Sequence, residues 1–404
     1  MSIRNSTHSR FDGRLPKWPI FDHKEEEAAL RVIRSRRWWR ESGEEVAQFE
    51  REFADFLQVK HVRAVTNGTQ AIELALACLN QKAGDEVLIP ACTFISTASA
   101  ILNYGAVPIP VDVLPDTLCI DPSAAEAAIT PRTRALIPVH MAGQPCEMDR
   151  LRALAERHGL DIIEDAAHAH GASWRDKPAG SLGGCSIFSF QSGKLMTAGE
   201  GGAFATSDPE LADRSFIQHS CGRPSKDFDY RHLVVASNLR MTEFQAAILR
   251  VQLGRLSEQI KVREERANYL DQLLSDIPGV RPLARLREAT THSHYMYMFW
   301  VDPEAFHRRR AGEIANELRA QGLPAFRCFP PVHRTEAFSL QSLLARGFPF
   351  TSQSPPPDYE AMATPVSDAA AQQVVWFHHS VLLSEPSILE EVADEMRQLQ
   401  RRPQ

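Results

Sequence analysis

The feature of this chain that most limits its possible folds is an alternation of short apolar segments with amphipathic ones, beginning near residue 61. The short segments have the length of buried strands, and the amphipathic ones repeat their apolar residues at helical spacing. The predicted strands are His61–Val65, Glu86–Ile89, Val107–Val111, Ala135–Val139 and Asp161–Glu164. The predicted helices are Thr69–Leu79, Ser96–Leu102, Pro122–Ile129 and Met148–His158. This pattern predicts an α/β fold with a large domain, in which helices cover both faces of a mostly parallel sheet.

The pattern changes in the last third of the chain. A long amphipathic segment, Thr242–Leu274, predicts a helix that follows the large domain. After it come a strand-like segment, Ser293–Val301, and two further helical segments, Ala311–Gln321 and Pro386–Arg401. We therefore predict a smaller α+β C-terminal domain. The expected division is 1–255 for the N-terminal segment and large domain, and 256–404 for the small domain.

Composition and charge exclude several classes of function. The formal net charge is −6 and the charges are mixed along the chain, so nothing marks a surface for nucleic acid or an anionic membrane. The start of the chain, Met1–Arg10, has no apolar signal core, and we expect a cytoplasmic protein. The seven cysteines are scattered singly, and His168 and His170 lack further ligands at suitable spacing. We expect reduced thiols and no metal.

Lys194 is the residue that points most directly to a chemistry. It follows the strand-like segment Ser186–Phe190 and precedes a glycine-rich stretch, and Asp165 follows an earlier predicted strand. Ligands bind at the carboxyl ends of parallel strands, where both residues fall. Pyridoxal phosphate needs a lysine for a Schiff base and a carboxylate for its ring nitrogen. An enzyme that uses this cofactor is therefore the leading hypothesis.

Other residues near predicted strand ends fit the same cofactor, and each also has a purely structural interpretation. Thr69 and Gln70 begin a helix whose N-terminus could hold a phosphate, although Asn67 before them is equally typical of a helix cap. Ser189 alternates with Phe188 and Phe190, which turns its hydroxyl away from the face that they share. Phe94 could lie on the cofactor ring or in the core.

These motifs, taken together and in this order, resemble the DegT/StrS family of pyridoxal-phosphate-dependent aminotransferases. The resemblance covers nearly the whole chain from about Trp18. The motifs that carry it are Asn67-Gly68-Thr69, Pro90-Ala91-Cys92-Thr93-Phe94, Pro138-Val139-His140-Met141-Ala142-Gly143-Gln144, Glu164-Asp165-Ala166-Ala167-His168-Ala169-His170-Gly171, Phe188-Ser189-Phe190 with Lys194, and Asn238-Leu239-Arg240-Met241.

The resemblance implies an aspartate-aminotransferase-like fold (fold type I) and a homodimer in which both subunits build each active site. It implies that Lys194 forms the Schiff base with pyridoxal 5′-phosphate and that Asp165 binds its ring nitrogen. Asn238 would reach the cofactor of the other subunit. The cofactor contacts implied in this way are Gly68, Thr69, Gln70, Phe94, Asp165, His168, Ser189 and Asn238.

A narrower likeness points to the branch of this family that makes 3-amino-5-hydroxybenzoate by dehydrating and aromatising an aminated dehydroshikimate, and whose members can also transaminate a keto sugar. The segments that carry it include Trp38-Trp39-Arg40, the stretch from Gln191 to Gly202, and Ser293-His294-Tyr295-Met296. The substrate contacts that it implies are Trp39, Arg40, Gln191, His294 and Tyr295. We expect Arg40 either to pair with a substrate carboxylate or only to pin a surface loop.

Other functions stay open at this point. The segment Phe329–His333 resembles ordinary sugar aminotransferases and lacks an arginine expected near Pro330. The alternative function is therefore a sugar or aminocyclitol aminotransferase with glutamine or glutamate as amino donor. A non-catalytic regulator with the same fold is a minor alternative, and the presence of both Lys194 and Asp165 counts against it.

Overall fold

The computed structural model of the protein describes residues 9–225, 230–351 and 355–402. The prediction for Met1–Arg10 falls mostly on residues outside these ranges. The helices are α1 His23–Ser35, α2 Glu45–Leu57, α3 Gly68–Cys78, α4 Ser96–Tyr104, α5 Pro122–Ala127, α6 Met148–His158, α7 Pro209–His219, α8 Glu243–Ser275, α9 Ala311–Ala320, α10 Leu340–Ala345, α11 Pro365–Gln373 and α12 Pro386–Arg401. The strands are β1 His61–Val65, β2 Glu86–Pro90, β3 Val107–Val111, β4 Thr133–Leu136, β5 Asp161–Asp165, β6 Ser173–Trp174, β7 Lys177–Pro178, β8 Cys185–Ser189, β9 Gly202–Thr206, β10 Val280–Pro282, β11 Ala289–Thr291, β12 Met296–Val301, β13 Ala325–Arg327 and β14 Val374–His378.

Seven strands form the large sheet, in the order β1-β9-β8-β5-β4-β2-β3. The neighbours from β8 to β3 pair in parallel, and β9 pairs antiparallel with both β1 and β8. Parallel strands need crossover connections. Helices α4, α5 and α6 supply those from β2 to β5, whereas the connection from β5 to β8 contains the short strands β6 and β7. The prediction of a mostly parallel, helix-covered sheet is confirmed.

One face of the large sheet is covered by α2 through a cluster of phenylalanines. Phe53 on α2 packs edge-on against Phe188 and Phe190, with ring centroids 5.0 and 5.6 Å apart. Phe49, one turn earlier, packs against Phe190 at 5.5 Å. The alternation predicted along β8 is confirmed, because Phe188 and Phe190 lie in this cluster and Ser189 faces the opposite side of the sheet, where it lines a cavity.

The small sheet has four antiparallel strands in the order β10-β12-β14-β13 and packs with α9 and α12 around a second core. The boundary expected between residues 255 and 256 falls inside the continuous helix α8. Ile260 of α8 packs with the large-sheet cluster and Leu270 packs in the second core. Phe11, near the start of the chain, also packs in that second core. The two-domain division therefore remains a proposal.

Sequence reasoning found the strands of the parallel core to within a few residues but did not identify α1, α2 or β9. The helices α1 and α2 are rich in charged residues, and each buries only a narrow stripe of side chains. Strand β9 has the sequence Gly-Ala-Phe-Ala-Thr, in which glycine and alanine have weak strand preference. Strand β9 is therefore stabilised by its hydrogen-bonded pairing with β1 and β8 rather than by its own sequence. No helix in the described ranges combines the length and apolar character needed to cross a bilayer.

Phe53 offers a test of this packing. Phe53→Ala should lower the free energy of unfolding by about 3 to 5 kcal/mol, because it opens a cavity inside a fully buried aromatic cluster. The measurement is denaturant unfolding followed by circular dichroism. Leu340→Ala is the control, since Leu340 is exposed, and should change the free energy by less than about 0.5 kcal/mol. Equal effects of both substitutions would contradict the assigned core.

Candidate active site

Several structural elements end or begin around one cavity of about 770 Å³. Asp165 is the last residue of β5, Ser189 is the last residue of β8, and α3 begins at Gly68. Phe94 lies in the loop that connects β2 to α4. The carboxyl ends of parallel strands meet at one edge of the sheet, which is where such folds bind their ligands. All four residues line the cavity.

Asp165 is a buried carboxylate with two donors of its own. Its Oδ2 accepts a hydrogen bond from the Thr97 hydroxyl (3.0 Å), and its Oδ1 accepts one from the Ala167 N–H (3.2 Å). Burial raises the pKa of Asp165, while the Ala167 hydrogen bond and the charge of Lys194 act in the opposite direction. Because only 5% of the residue is exposed, a cationic partner in the cavity would stabilise its ionised form.

Lys194 projects into the same cavity from a loop that is anchored on the sheet. The Phe190 N–H bonds to the Gly201 carbonyl at 2.8 Å, which closes the base of the loop. Leu195 and Met196, directly after the lysine, are buried in the cluster beneath the sheet. The Lys194 Nζ lies 4.4 Å from the centroid of the Tyr295 ring. The amine is thus held close to an aromatic face.

The start of α3 forms a further wall of the cavity. Asn67 caps the helix, since its Oδ1 accepts the Gln70 N–H at 2.9 Å, and the Thr69 hydroxyl donates to Ser96 Oγ at 2.9 Å. The first N–H groups of a helix carry partial positive charge and attract anions. Gly68 lies against Ser189, and a Cβ at residue 68 would come within 2.8 Å of the Ser189 Cβ. The wall therefore combines a helix N-terminus with hydroxyl groups.

His168 and Tyr295 form a stacked pair in the cavity, with ring centroids 4.3 Å apart and planes inclined by 28°. Burial holds the pKa of His168 well below its usual value, and the charge of Lys194 lowers it further. The His168 Nδ1 is buried without a hydrogen-bond partner among the described residues. Gln191 also lines the cavity, and its Oε1 accepts the Gly193 N–H at 2.8 Å.

Four predicted site residues do not line the cavity: Trp39, Arg40, Asn238 and His294. Trp39 and Asn238 lie on the surface. His294 is half-buried and stacks against the buried His292, with ring centroids 3.8 Å apart.

Arg40, which is expected either to pair with a substrate carboxylate or to pin a surface loop, has its guanidinium engaged by Glu50 outside the cavity. Its Nη1 and Nη2 donate to the two carboxylate oxygens of Glu50 at 2.7 and 3.0 Å. Glu50 also accepts the Ala64 N–H at 2.8 Å, which ties α2 to β1. The geometry supports the other expectation, that Arg40 pins its surface loop.

Among the cavity residues that sequence reasoning did not assign to the site are Thr97, Phe329 and Trp376. Thr97 holds Asp165, and its position in the first turn of α4 was the available signal, since the preceding loop was already a candidate. Phe329 follows β13 and Trp376 lies on β14 of the small sheet, and the Phe329 ring lies 6.3 Å from that of Phe94. No local pattern indicates that they meet the large sheet.

The sheet order and the lysine–carboxylate pair at its strand ends define a fold type I pyridoxal-phosphate-dependent aminotransferase, and the fold class expected from the sequence is confirmed. The chain belongs to the DegT/DnrJ/EryC1/StrS aminotransferase family, whose model matches residues 21–397.

Within this family, the chain is similar to enzymes of two kinds. The chain is 45% identical to 3-amino-5-hydroxybenzoate synthase of Amycolatopsis mediterranei (strain S699), over 93% of this chain and 94% of that protein. It is 35% identical to L-glutamine:2-deoxy-scyllo-inosose aminotransferase of Streptomyces paromomycinus, over 94% and 92%. A crystal structure of 3-amino-5-hydroxybenzoic acid synthase superposes with a TM-score of 0.88 at 42% identity, covering 95% of this chain and 98% of that one.

Gly68 provides a test of the cavity wall. Gly68→Ala should weaken binding of pyridoxal 5′-phosphate by about tenfold or more, because the new methyl group forces α3 and Ser189 apart where the tight core has no spare room. The measurement is titration of the cofactor-free protein with pyridoxal 5′-phosphate, followed by visible absorbance.

Gly254→Ala is the matched control. Gly254 lies inside α8, and a Cβ there meets nothing within 4 Å. This substitution should leave binding unchanged and stabilise the protein by about 0.5 to 1 kcal/mol, because alanine favours the helix. Unchanged affinity in Gly68→Ala would show that α3 and Ser189 do not enclose the cofactor.

Proposed function

We propose that the cavity binds pyridoxal 5′-phosphate, with Lys194 as the Schiff-base lysine. The observation that carries this proposal is the presence of the Lys194 amine and the buried Asp165 carboxylate in one cavity with the N-terminus of α3. The residues fit the cofactor at each end. The α3 N-terminus with Thr69 and Ser189 suits the phosphate, and Asp165 suits a protonated ring nitrogen.

When bound, this cofactor supplies an electron sink for a carbanion on the substrate. The protein's residues supply position and proton transfer. Asp165, oriented by Thr97 and Ala167, would hold the ring nitrogen in its charged form. Phe94 and His168, which line the same cavity, would hold the ring between them. The Lys194 amine would take a proton from one carbon of the substrate and deliver it where the product requires it.

We further propose that the substrate is a cyclic carboxylate, an aminated dehydroshikimate or a close analogue, which the enzyme dehydrates and aromatises. Tyr295, Phe329 and Trp376 line the cavity together, and flat aromatic surfaces suit an unsaturated ring. Lys194 removes a ring proton, water leaves, and enolisation completes the aromatic ring. The 45% identity to 3-amino-5-hydroxybenzoate synthase along nearly the full chain supports this reaction.

Amino transfer to a keto sugar or an aminocyclitol precursor is the second candidate. Among the described residues that line the cavity of one subunit, Lys194 is the sole lysine or arginine. A neutral polyol needs no further cation, whereas a carboxylate would require one from the partner subunit. The relatives that act as glutamine-dependent inosose aminotransferases favour the same alternative.

One experiment distinguishes the two reactions. The enzyme loaded with pyridoxal 5′-phosphate is incubated with aminodehydroshikimate alone and, separately, with 2-deoxy-scyllo-inosose plus L-glutamine, and products are identified by mass. Loss of one water molecule from aminodehydroshikimate, without any amino donor, supports aromatisation. An aminated cyclitol in the second mixture, with aminodehydroshikimate unchanged in the first, would replace the main proposal by the alternative.

Substitution of the two central residues tests the assignment of their roles. Lys194→Ala should remove the borohydride-sensitive visible band and lower turnover by roughly a thousandfold or more, because the proton carrier is lost. Asp165→Asn should weaken cofactor binding and slow turnover, since loss of a buried charge-assisted hydrogen bond costs about 2 to 5 kcal/mol. Absorbance spectra and steady-state rates measure both effects.

Asp161→Asn is the control for Asp165→Asn. Asp161 begins the same strand at the opposite end and is exposed, so the same chemical change should leave the spectrum and the rate unaltered. Wild-type turnover in Lys194→Ala would contradict the proposed role of the lysine. Equal turnover in the two asparagine variants would contradict the proposed role of Asp165.

We also propose a homodimer in which Asn238 reaches the partner's cofactor, and its surface position supports this. Mixing inactive Lys194→Ala with inactive Asn238→Asp subunits should restore up to about one quarter of the wild-type rate, because half of the dimers are hybrids with one intact site. Light scattering and the recovered rate are measured after subunit exchange. Verified hybrids without activity would argue for self-contained sites.

A further inference from the structure

Arg263 on α8 is the most anomalous charged residue of the described chain. Its side chain is fully buried, at 0% exposure, and none of the ion pairs among the described residues includes it. Its Nε and Nη1 are buried without a hydrogen-bond partner in the same residues. Its guanidinium lies 5.4 Å from the Trp18 ring centroid. Burial lowers the pKa of Arg263 to about 9, so it remains a cation at neutral pH.

Arg263 makes two side-chain hydrogen bonds, one to Gln259 Oε1 of its own helix at 3.4 Å and one that leads toward the Lys194 loop. Its Nη2 donates to His379 Nδ1 at 3.2 Å, and His379 Nε2 donates to the Gly193 carbonyl at 3.1 Å. Burial, followed by the charge of Arg263, lowers the pKa of His379 well below its usual value. A neutral imidazole with its proton on Nε2 satisfies both contacts, because one ring nitrogen accepts and the other donates.

The Gly193 carbonyl belongs to the peptide bond that leads into Lys194, and this peptide is held on both sides. The Lys194 N–H donates to the Gln191 carbonyl at 2.8 Å, opposite the bond from His379. One residue earlier, the Trp18 Nε1 donates to the Ser192 carbonyl at 2.9 Å. The Trp18 ring also packs edge-on against His379, with centroids 4.4 Å apart. The backbone on which the lysine stands is therefore anchored from the small domain, α8 and the N-terminal segment.

A buried cation without a carboxylate partner costs stability, and its replacement by an apolar side chain of similar volume often costs nothing. Packing alone does not explain an arginine at this position. Its hydrogen bond to His379, and the bond from His379 to the Gly193 carbonyl, connect Arg263 to the residue directly before Lys194. Misplacement of a reacting group by about 1 Å can lower a rate by a hundredfold.

We propose that Arg263 and His379 are positioning residues that hold the Gly193–Lys194 peptide, and with it the Lys194 amine, in its reactive position. Arg263 orients the neutral His379 ring, and the ring bonds the peptide. The inference rests on the proposed role of Lys194, but the anchoring of the loop can be measured on the cofactor-free protein.

The experiment uses the full chain and four variants. Arg263→Met and His379→Leu remove the two groups. His379→Gln keeps one acceptor and one donor on a single amide. Arg309→Met is the matched control, since Arg309 is also buried but pairs with Glu317 at 3.0 Å and with carbonyls of the C-terminal helix, away from the lysine loop.

Two readouts are taken. Hydrogen–deuterium exchange of peptides spanning residues 190–197 is followed in cofactor-free protein, and the rate at which the borohydride-sensitive band forms is followed after addition of pyridoxal 5′-phosphate. Arg263→Met and His379→Leu should exchange faster in this segment and form the band about tenfold or more slowly. His379→Gln should restore both values to near wild type. Arg309→Met should unfold at a lower denaturant concentration than the wild-type protein, but its exchange rate and its rate of band formation should match those of the wild type.

Wild-type exchange and band formation in both Arg263→Met and His379→Leu would overturn the inference. Slowing of the same size in Arg309→Met would also overturn it, because the effect would then be one of general stability. If Arg263→Met does not fold, the comparison of His379→Leu with His379→Gln decides alone. Absence of any band in the wild-type protein would instead overturn the proposed function, while the exchange data would still judge the anchoring of the loop.

Discussion

Two adjacent carboxylates at the end of β5 point to opposite faces of the large sheet, and the site depends on this alternation. Glu164 faces the interior, where it accepts the N–H groups of Gly180, Leu182 and Gly183 and bonds His140 Nε2 at 3.0 Å. Asp165 faces the cavity. The network around Glu164 fixes the end of the strand, and successive residues of a strand must point to opposite sides. Asp165 therefore has a fixed direction before any ligand binds.

Other groups around the cavity are held in place by contacts with neighbouring residues. Thr97 of α4 holds Asp165, Asn67 caps α3, and buried Leu195 anchors the loop that follows β8. The aromatic cluster under β8 excludes water from the opposite face of the sheet. In such a low-dielectric setting each hydrogen bond is strengthened and each unpaired charge is costly, so orientation and reactivity are linked.

The arrangement beneath the lysine loop follows from the same physics. The region contains Arg263 with His378 and His379, and burial lowers the pKa of both histidines. Neutral rings beside one cation can serve as donors and acceptors with a defined direction. An apolar filling of similar volume often costs no stability, but it could not bond the backbone carbonyl of Gly193. The buried polar groups therefore do more than fill space, since His379 bonds the peptide that leads into Lys194.

The sequence alone determined the alternation of strands and helices, the lysine and acid at strand ends, and the resemblance to the family, because these depend on local periodicity and on short motifs. Only the tertiary structure decided that Arg40 pairs with Glu50, that Phe329 and Trp376 join the cavity, and that Arg263 lies beneath Lys194. Such contacts join residues far apart in the chain. Their partners are chosen by how the two sheets and α8 pack, which no local pattern encodes.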